Sequence, residues 1–193
     1  MTEPQRRRPH YWSRAAELDP AAVAGALAAL RSGQGRPAGS VPGMWRYYTT
    51  LSADGRQTSR LDAEHIALSL WAAHQQGRSP RTDPMHRPAI GLGAGLAALH
   101  RSGRYSQAAV DRRVSAAATA SSRAELAQHL RGLVQQLRVI GQPLDYDRLV
   151  ADLGFWDNPE GRARVQRRWG GGYFASPGTA ATPADVTTSK ENS

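Results

Sequence analysis

The sequence has no cysteine and only one lysine, Lys190, among its 193 residues. Without cysteine there is neither a disulfide nor a thiolate ligand for a structural metal. No apolar run approaches the roughly 18 residues that a membrane-spanning helix needs. The basic run Arg6–Arg8 is not followed by an apolar segment, so we expect no secretory signal. Together these absences favour a cytoplasmic protein.

The motifs on which an enzyme mechanism would rest are also missing. The six histidines have no zinc-binding spacing such as H-E-x-x-H, and the sequence contains no Walker motif or nucleophile elbow. Asp145 and Asp147 form the densest acidic pair, but helix capping accounts for them. The glycines of Gly91–Gly95 follow no strand, so close helix packing explains them better than a phosphate loop. The sequence patterns therefore single out no catalytic residue, no cofactor site and no metal site.

What the sequence has in excess is arginine. Its 25 basic and 16 acidic side chains give a formal net charge of +9. A coding bias would explain the choice of arginine over lysine, but it would not explain the positive excess. A planar guanidinium matches the geometry of phosphate oxygens, so the excess favours nucleic acid as a partner. Residues 1–100 carry 12 basic and 7 acidic side chains, and 101–193 carry 13 and 9, which suggests an extended track rather than one pocket.

Helix signals recur along the chain and predict an all-α fold. Ser122 and Glu125 have the spacing of a capping box, and an apolar stripe of helical period follows them. Asp19, Asp145 and Asn158 stand where three further helices would have their N-caps. The stripe consists of Leu126, Leu130, Leu133, Val134, Leu137 and Ile140. On the opposite face of this helix, a polar row consists of Gln128, Arg131, Gln135 and Arg138.

Other local patterns are less decisive. Ser59 and Asp62 offer another capping pair, and Gly170–Gly172 is predicted to end the last helix. In the aromatic segment Met44–Leu51, we expect the side chains to pack in the core rather than to form a platform on which bases stack. Arg31 lies at a predicted helix end, and Arg36 lies in the loop that follows. Binding of a phosphate and a favourable interaction with the negative end of the helix dipole explain these two arginines equally well.

Composition divides the chain into four parts. A loose basic tail comes first, two helical halves follow, and a polar Thr/Pro-rich tail that we expect to be disordered comes last. Their predicted ranges are 1–11, 12–100, 101–175 and 176–193.

The order of several short pieces resembles the CasB family, the small subunit of the type I-E CRISPR Cascade surveillance complex. The resemblance covers roughly residues 12 to 174. The pieces that carry it are Leu27–Gly33, Trp71–His74, Leu92-Gly93, Ser102–Arg104, Asp111–Val114, Glu125–Val134, Leu144–Tyr146, Asp152-Leu153 with Trp156, Arg167–Trp169 and Tyr173-Phe174. The glycines before Tyr173 depart from the helical, alanine-containing end that the family usually has, and the long tail after Phe174 is a second departure.

The resemblance implies a non-catalytic, all-α protein of two small helical bundles in one elongated chain. Two copies would stack head to tail beside the repeated backbone subunit and the large subunit of the complex. They would bind the backbones of guide RNA and target DNA and keep the displaced strand open, so that the R-loop persists in antiviral defence. By matching position, the arginines expected to contact phosphate are Arg31, Arg60, Arg112, Arg113, Arg123 and Arg131. Arg138 is added from the polar row alone.

Three alternatives stay open at this point. A sequence-specific, helical DNA-binding transcription regulator would need a recognition helix after the short gap Gly141–Leu144, but the helix there opens with two aspartates. A small enzyme is disfavoured by the missing motifs. A scaffold without nucleic-acid contact would leave the charge excess unexplained.

Overall fold

The computed structural model describes residues 8–175, and its architecture is all-α, as predicted. Eight α-helices occur in this range: α1 Tyr11–Arg14, α2 Pro20–Arg31, α3 Ser59–Gln75, α4 Leu92–Arg101, α5 Gln107–Ala118, α6 Arg123–Val139, α7 Tyr146–Phe155 and α8 Pro159–Phe174. Ala15–Glu17 and Pro42–Tyr47 form 3₁₀ turns. None of the helices within 8–175 combines the length and apolarity that crossing a bilayer requires. The predicted disordered tail, 176–193, and most of the predicted basic tail lie outside the described residues.

Side-chain caps start the helices, because each satisfies backbone N–H groups that have no partner within the helix. The four predicted N-caps Asp19, Ser122, Asp145 and Asn158 are confirmed. The prediction for α3 is wrong by one residue, since its N-cap is Thr58, whose hydroxyl accepts from the Leu61 N–H at 3.1 Å.

The glycines near the end of α8 do not end that helix, so this prediction is wrong. Gly93 of α4 and Gly172 of α8 meet where the two helices pack together. A Cβ at Gly172 would lie 3.1 Å from the backbone nitrogen of Ala94, which is closer than most Cβ atoms approach a neighbour. The close packing compensates for the low helix propensity of glycine and keeps α8 helical to Phe174.

One hydrophobic core runs through the described chain. Helix α3 packs on α2, α6 and α7, and its Trp71 is buried with Tyr146 of α7. Helix α4 packs along α8. Residues on both sides of the boundary predicted near residue 100 therefore share this core. Met44 and Tyr48 are buried in it, as predicted, whereas Trp45 of the same aromatic segment is half exposed.

Candidate nucleic-acid interface

Two neighbouring grooves flank the exposed face of α6 and meet at Gln128. The α5–α6 groove is lined by Ala109, Arg112, Arg113, Ala116, Gln128, His129 and Gly132. The α3–α6 groove is lined by the loop Gly33–Pro37, by His65, Ile66, Ser69 and Leu70 of α3, and by Ala124, Ala127, Gln128 and Arg131 of α6. The two grooves therefore share Gln128 as a lining side chain.

The α5–α6 groove has a basic rim. Arg112 and Arg113 are exposed, and neither forms an ion pair with the described part of the chain. Arg113 makes one long hydrogen bond, 3.5 Å, to the Ala109 carbonyl. His129 lies across the groove, with its Nε2 3.8 Å from a carboxylate oxygen of Glu125. Both guanidinium groups are thus available to an anionic ligand.

Arg131 projects into the α3–α6 groove and lies against Gly35. A Cβ at Gly35 would be 3.2 Å from Arg131 Nη1, and the positive φ of Gly35, +74°, also favours glycine. The next residue, Arg36, is exposed and lines the same groove. Gly35 therefore allows the guanidinium group of Arg131 to lie close to the loop that carries Arg36, and both arginines line the same groove.

A buried histidine holds this loop in place. Nε2 of His65 lies 2.9 Å from the Gly33 carbonyl oxygen, and its Nδ1 lies 2.7 Å from the Tyr48 hydroxyl. A neutral ring with its proton on Nε2 makes both hydrogen bonds, because it donates to the carbonyl and accepts from the hydroxyl. Burial lowers the pKa of His65, which favours the same neutral form. A Cβ at Gly33 would collide with Met44 and with His65. The loop is thus fixed by contacts that sequence patterns do not reveal.

Arg123 is a structural arginine, which corrects its assignment as a phosphate ligand. Its side chain is only 6% exposed. Nε donates to the Leu153 carbonyl at 2.7 Å, Nη2 lies 2.9 Å from Asp157, and Nη1 reaches the Ser59 carbonyl and Asp62. The guanidinium therefore ties the start of α6 to α3 and α7, and it has no free face for a phosphate.

The remaining predicted arginines lie outside the two grooves. Arg31 is half-buried at the end of α2, and Arg60 is exposed in the first turn of α3. Arg138, near the other end of α6, donates from Nε to the Gln76 carbonyl at 3.0 Å. Of the predicted arginines, Arg112 and Arg113 thus line one groove and Arg131 lines the neighbouring one. Arg36 also lines the second groove, and for this residue the sequence left phosphate binding and an interaction with the helix dipole equally open.

A histidine–aspartate cluster lies at the start of α7. His86, Asp145 and Asp147 place three potential metal-ligand atoms within 4.8 Å of one another. The Tyr146 N–H donates to His86 Nδ1 at 3.1 Å, so Nε2 of the neutral ring carries the proton and is not free to bind a metal. Both oxygens of Asp145 already accept backbone N–H groups.

Asp147 joins this cluster to the N-terminal part of the described chain. Its Oδ1 lies 2.8 Å from His10 Nδ1 and accepts from the Trp12 indole at 3.0 Å. The hydrogen bond with His10 is the main reason that the pKa of Asp147 lies below its ordinary value. The cluster therefore fastens α1 over the first turn of α7.

Comparison with known proteins identifies the family. The sequence model of "CRISPR-associated protein Cse2" matches residues 26–174, which contain both grooves. The chain belongs to the Cse2 family. Comparison with curated protein sequences gives no significant match.

Solved Cse2-family structures share the fold. CasB from Thermobifida fusca is 31% identical with a TM-score of 0.67, over 85% of this chain and 91% of that chain. A CRISPR-associated protein of the Cse2 family from Thermus thermophilus is 26% identical with a TM-score of 0.63, over 84% and 92%. A chain of a structure described as a CRISPR RNA-guided surveillance complex is 26% identical with a TM-score of 0.59, over 84% and 85%.

Proposed function

We propose that this Cse2-family protein is the non-catalytic small subunit of a type I-E Cascade complex, in which it binds nucleic-acid backbones without sequence preference. The observation that carries the proposal is the set of unpaired guanidinium groups around α6. Arg112 and Arg113 line one groove, Arg131 lines the next, and no carboxylate of the described chain pairs with them. The similarity to a chain of an RNA-guided surveillance complex supports the same assignment.

Backbone contacts of this kind are enough to affect strand exchange. Replacing a DNA duplex by an RNA–DNA hybrid is nearly balanced in free energy, so a small sequence-independent contribution decides whether the R-loop persists. Each arginine that neutralises a phosphate releases counterions and adds affinity without reading a base. The partners that follow are guide RNA, target DNA, the backbone and large subunits, and a second copy of this chain, all in the cytoplasm. No cofactor is required.

The transcription-regulator alternative has no support from the structure. A helix-turn-helix protein would insert the start of α7 into the major groove. That first turn carries Asp145 and Asp147, whose negative charges would repel the phosphates of a duplex. Oδ1 of Asp147 is in addition already engaged by His10 and Trp12.

A charge-reversal experiment tests the proposal. Fluorescence anisotropy would follow the binding of labelled single-stranded DNA to wild-type protein and to the triple variant Arg112→Glu, Arg113→Glu, Arg131→Glu. We expect at least a tenfold loss of affinity in the variant, because three phosphate contacts are replaced by repulsion. In an assembled complex, the same variant should weaken R-loop formation.

The matched control reverses three arginines elsewhere, Arg148, Arg164 and Arg167, which are exposed on α7 and α8. It changes the net charge by the same amount. If both triple variants lose affinity equally, the effect is one of net charge and the assignment to the α6 surface is wrong. Circular dichroism spectra of both variants should match that of the wild type.

A further inference from the structure

The α3–α6 groove differs in character from its neighbour. The two are open grooves of similar size, about 390 Å³ here and about 370 Å³ for the α5–α6 groove, and they differ in what lines them. The floor of the α3–α6 groove is formed by apolar side chains, namely Ile66 and Leu70 from α3 and Ala127 from α6. Its positive charge is confined to Arg36 and Arg131. Binding of a sugar-phosphate backbone needs only positive charge, so backbone binding alone does not account for the apolar floor.

The chain builds this floor from one face of α6 and one face of α3. Ala124, Ala127, Gln128 and Arg131 occur at i, i+3, i+4 and i+7, so they share a single face of α6. The first two positions are alanines, the smallest side chains, and they line the groove together with Ile66. The residues that line this groove in the described chain include no carboxylate, so nothing in it repels a strand entering from the α5–α6 groove.

We infer that the α3–α6 groove is a nucleobase subsite, which takes one unstacked base of a single strand while Arg36 and Arg131 bind the flanking phosphates. The inference rests on the proposed function, because the strand would reach the groove through the α5–α6 groove. A guanidinium plane and apolar side chains are surfaces on which bases of any identity stack. The bases of a duplex are paired and stacked, so the subsite selects single strands over duplex. In a Cascade complex it would engage the displaced strand.

The test compares two strands with the same number of phosphates. One is a short oligothymidylate, and the other has the same length with abasic tetrahydrofuran in place of each nucleoside. Binding of both to the full chain is measured by competition at one fixed salt concentration. We expect the oligothymidylate to bind about tenfold more tightly, because only it offers bases to the groove.

Two variants locate the effect. Ala127→Leu fills the floor without changing charge, and it should bring the affinity for oligothymidylate down to that for the abasic strand. Ala151→Leu makes the same change at an exposed position on α7 and should preserve the difference. Thermal unfolding of both variants shows whether each is folded. If Ala127→Leu does not fold, Ala124→Leu, at an exposed position that lines the same groove, replaces it and should produce a larger loss for oligothymidylate than for the abasic strand, because it fills the groove without changing charge.

The outcomes separate the subsite from the proposed function. Equal affinity of the wild type for both strands overturns the subsite and leaves backbone binding intact. A base-dependent difference that persists in the floor variant also overturns it, since the bases then bind elsewhere. Failure of the wild type to bind either strand overturns the proposed function and the subsite with it.

Discussion

Gly93 of α4 lies directly against the backbone of Trp169 in α8. A Cβ at Gly93 would be 3.0 Å from Trp169 Cα and closer still to its carbonyl oxygen. Trp169 is itself fixed, because its indole donates to Asp152 at 2.6 Å and its ring stacks on Trp156 at 5.1 Å between centroids. This contact sets the distance between the two helices.

Gly93→Ala should therefore destabilise the protein. A methyl group would have to displace rigid backbone, and overpacking of this kind costs about 1–3 kcal/mol. Gly25→Ala is the matched control, because Gly25 is exposed on α2 with open space around it. We expect the control to raise the free energy of unfolding by about 0.5–1 kcal/mol, as alanine does in an open helix position. Urea denaturation measures both, and a stable Gly93→Ala protein would contradict the close-packing argument.

Arg123 and Arg131 should give opposite results when each is changed to methionine. Arg123→Met removes the guanidinium's hydrogen bond to the Leu153 carbonyl and its ion pair with the half-exposed Asp157, so we expect the free energy of unfolding to fall by about 1–3 kcal/mol. Arg131→Met should change it by less than about 1 kcal/mol, because its guanidinium has no ion pair in the described chain. Chemical denaturation and DNA binding are measured on both variants. Weaker DNA binding is expected from Arg131→Met alone, and loss of affinity in folded Arg123→Met would contradict its structural role.

The salt dependence of DNA binding should report the number of phosphate contacts. For a single strand, the slope of log affinity against log salt changes by about 0.7 for each contact removed. Arg112→Gln should reduce the magnitude of the slope by that amount, and Arg164→Gln on α8 should leave it unchanged. Titrations at four or more salt concentrations measure the slopes. An unchanged slope in Arg112→Gln would remove this arginine from the interface.

His74 should make the protein sensitive to moderate acid. Burial, assisted by the charge of Arg78, lowers the pKa of His74 to about 3, against 6.5 for the unfolded chain. Between these values the unfolded state binds a proton that the folded state does not. The stability is thus complete above pH 6.5 and is lost progressively as the pH falls towards 3, by up to about 1.4 kcal/mol per pH unit.

The variant His74→Gln should lose about 2 kcal/mol less than the wild type between pH 7 and pH 5. Urea unfolding at the two pH values measures this difference. His65 and His86 also have lowered pKa values, and both remain in the variant, so it should still lose some stability. Equal losses in the two proteins would show that His74 is protonated in the folded state.

Local sequence was sufficient for the helical class and for four of the helix N-caps. Asp19, Ser122, Asp145 and Asn158 act on N–H groups two or three residues away, so their effect is readable without the rest of the chain. The all-α class followed from the same signals, and the arginine excess indicated the kind of partner. These properties depend on neighbours in sequence or on composition alone.

Only the tertiary structure decided which arginines are available. Arg123 and Arg131 lie two turns apart on α6, yet carboxylates from α3 and from the turn after α7 enclose the first and leave the second exposed to its groove. The continuation of α8 through its glycines likewise depends on Gly93, far away in sequence. Burial and charge pairing are set by residues that folding brings together, and no local pattern contains that information.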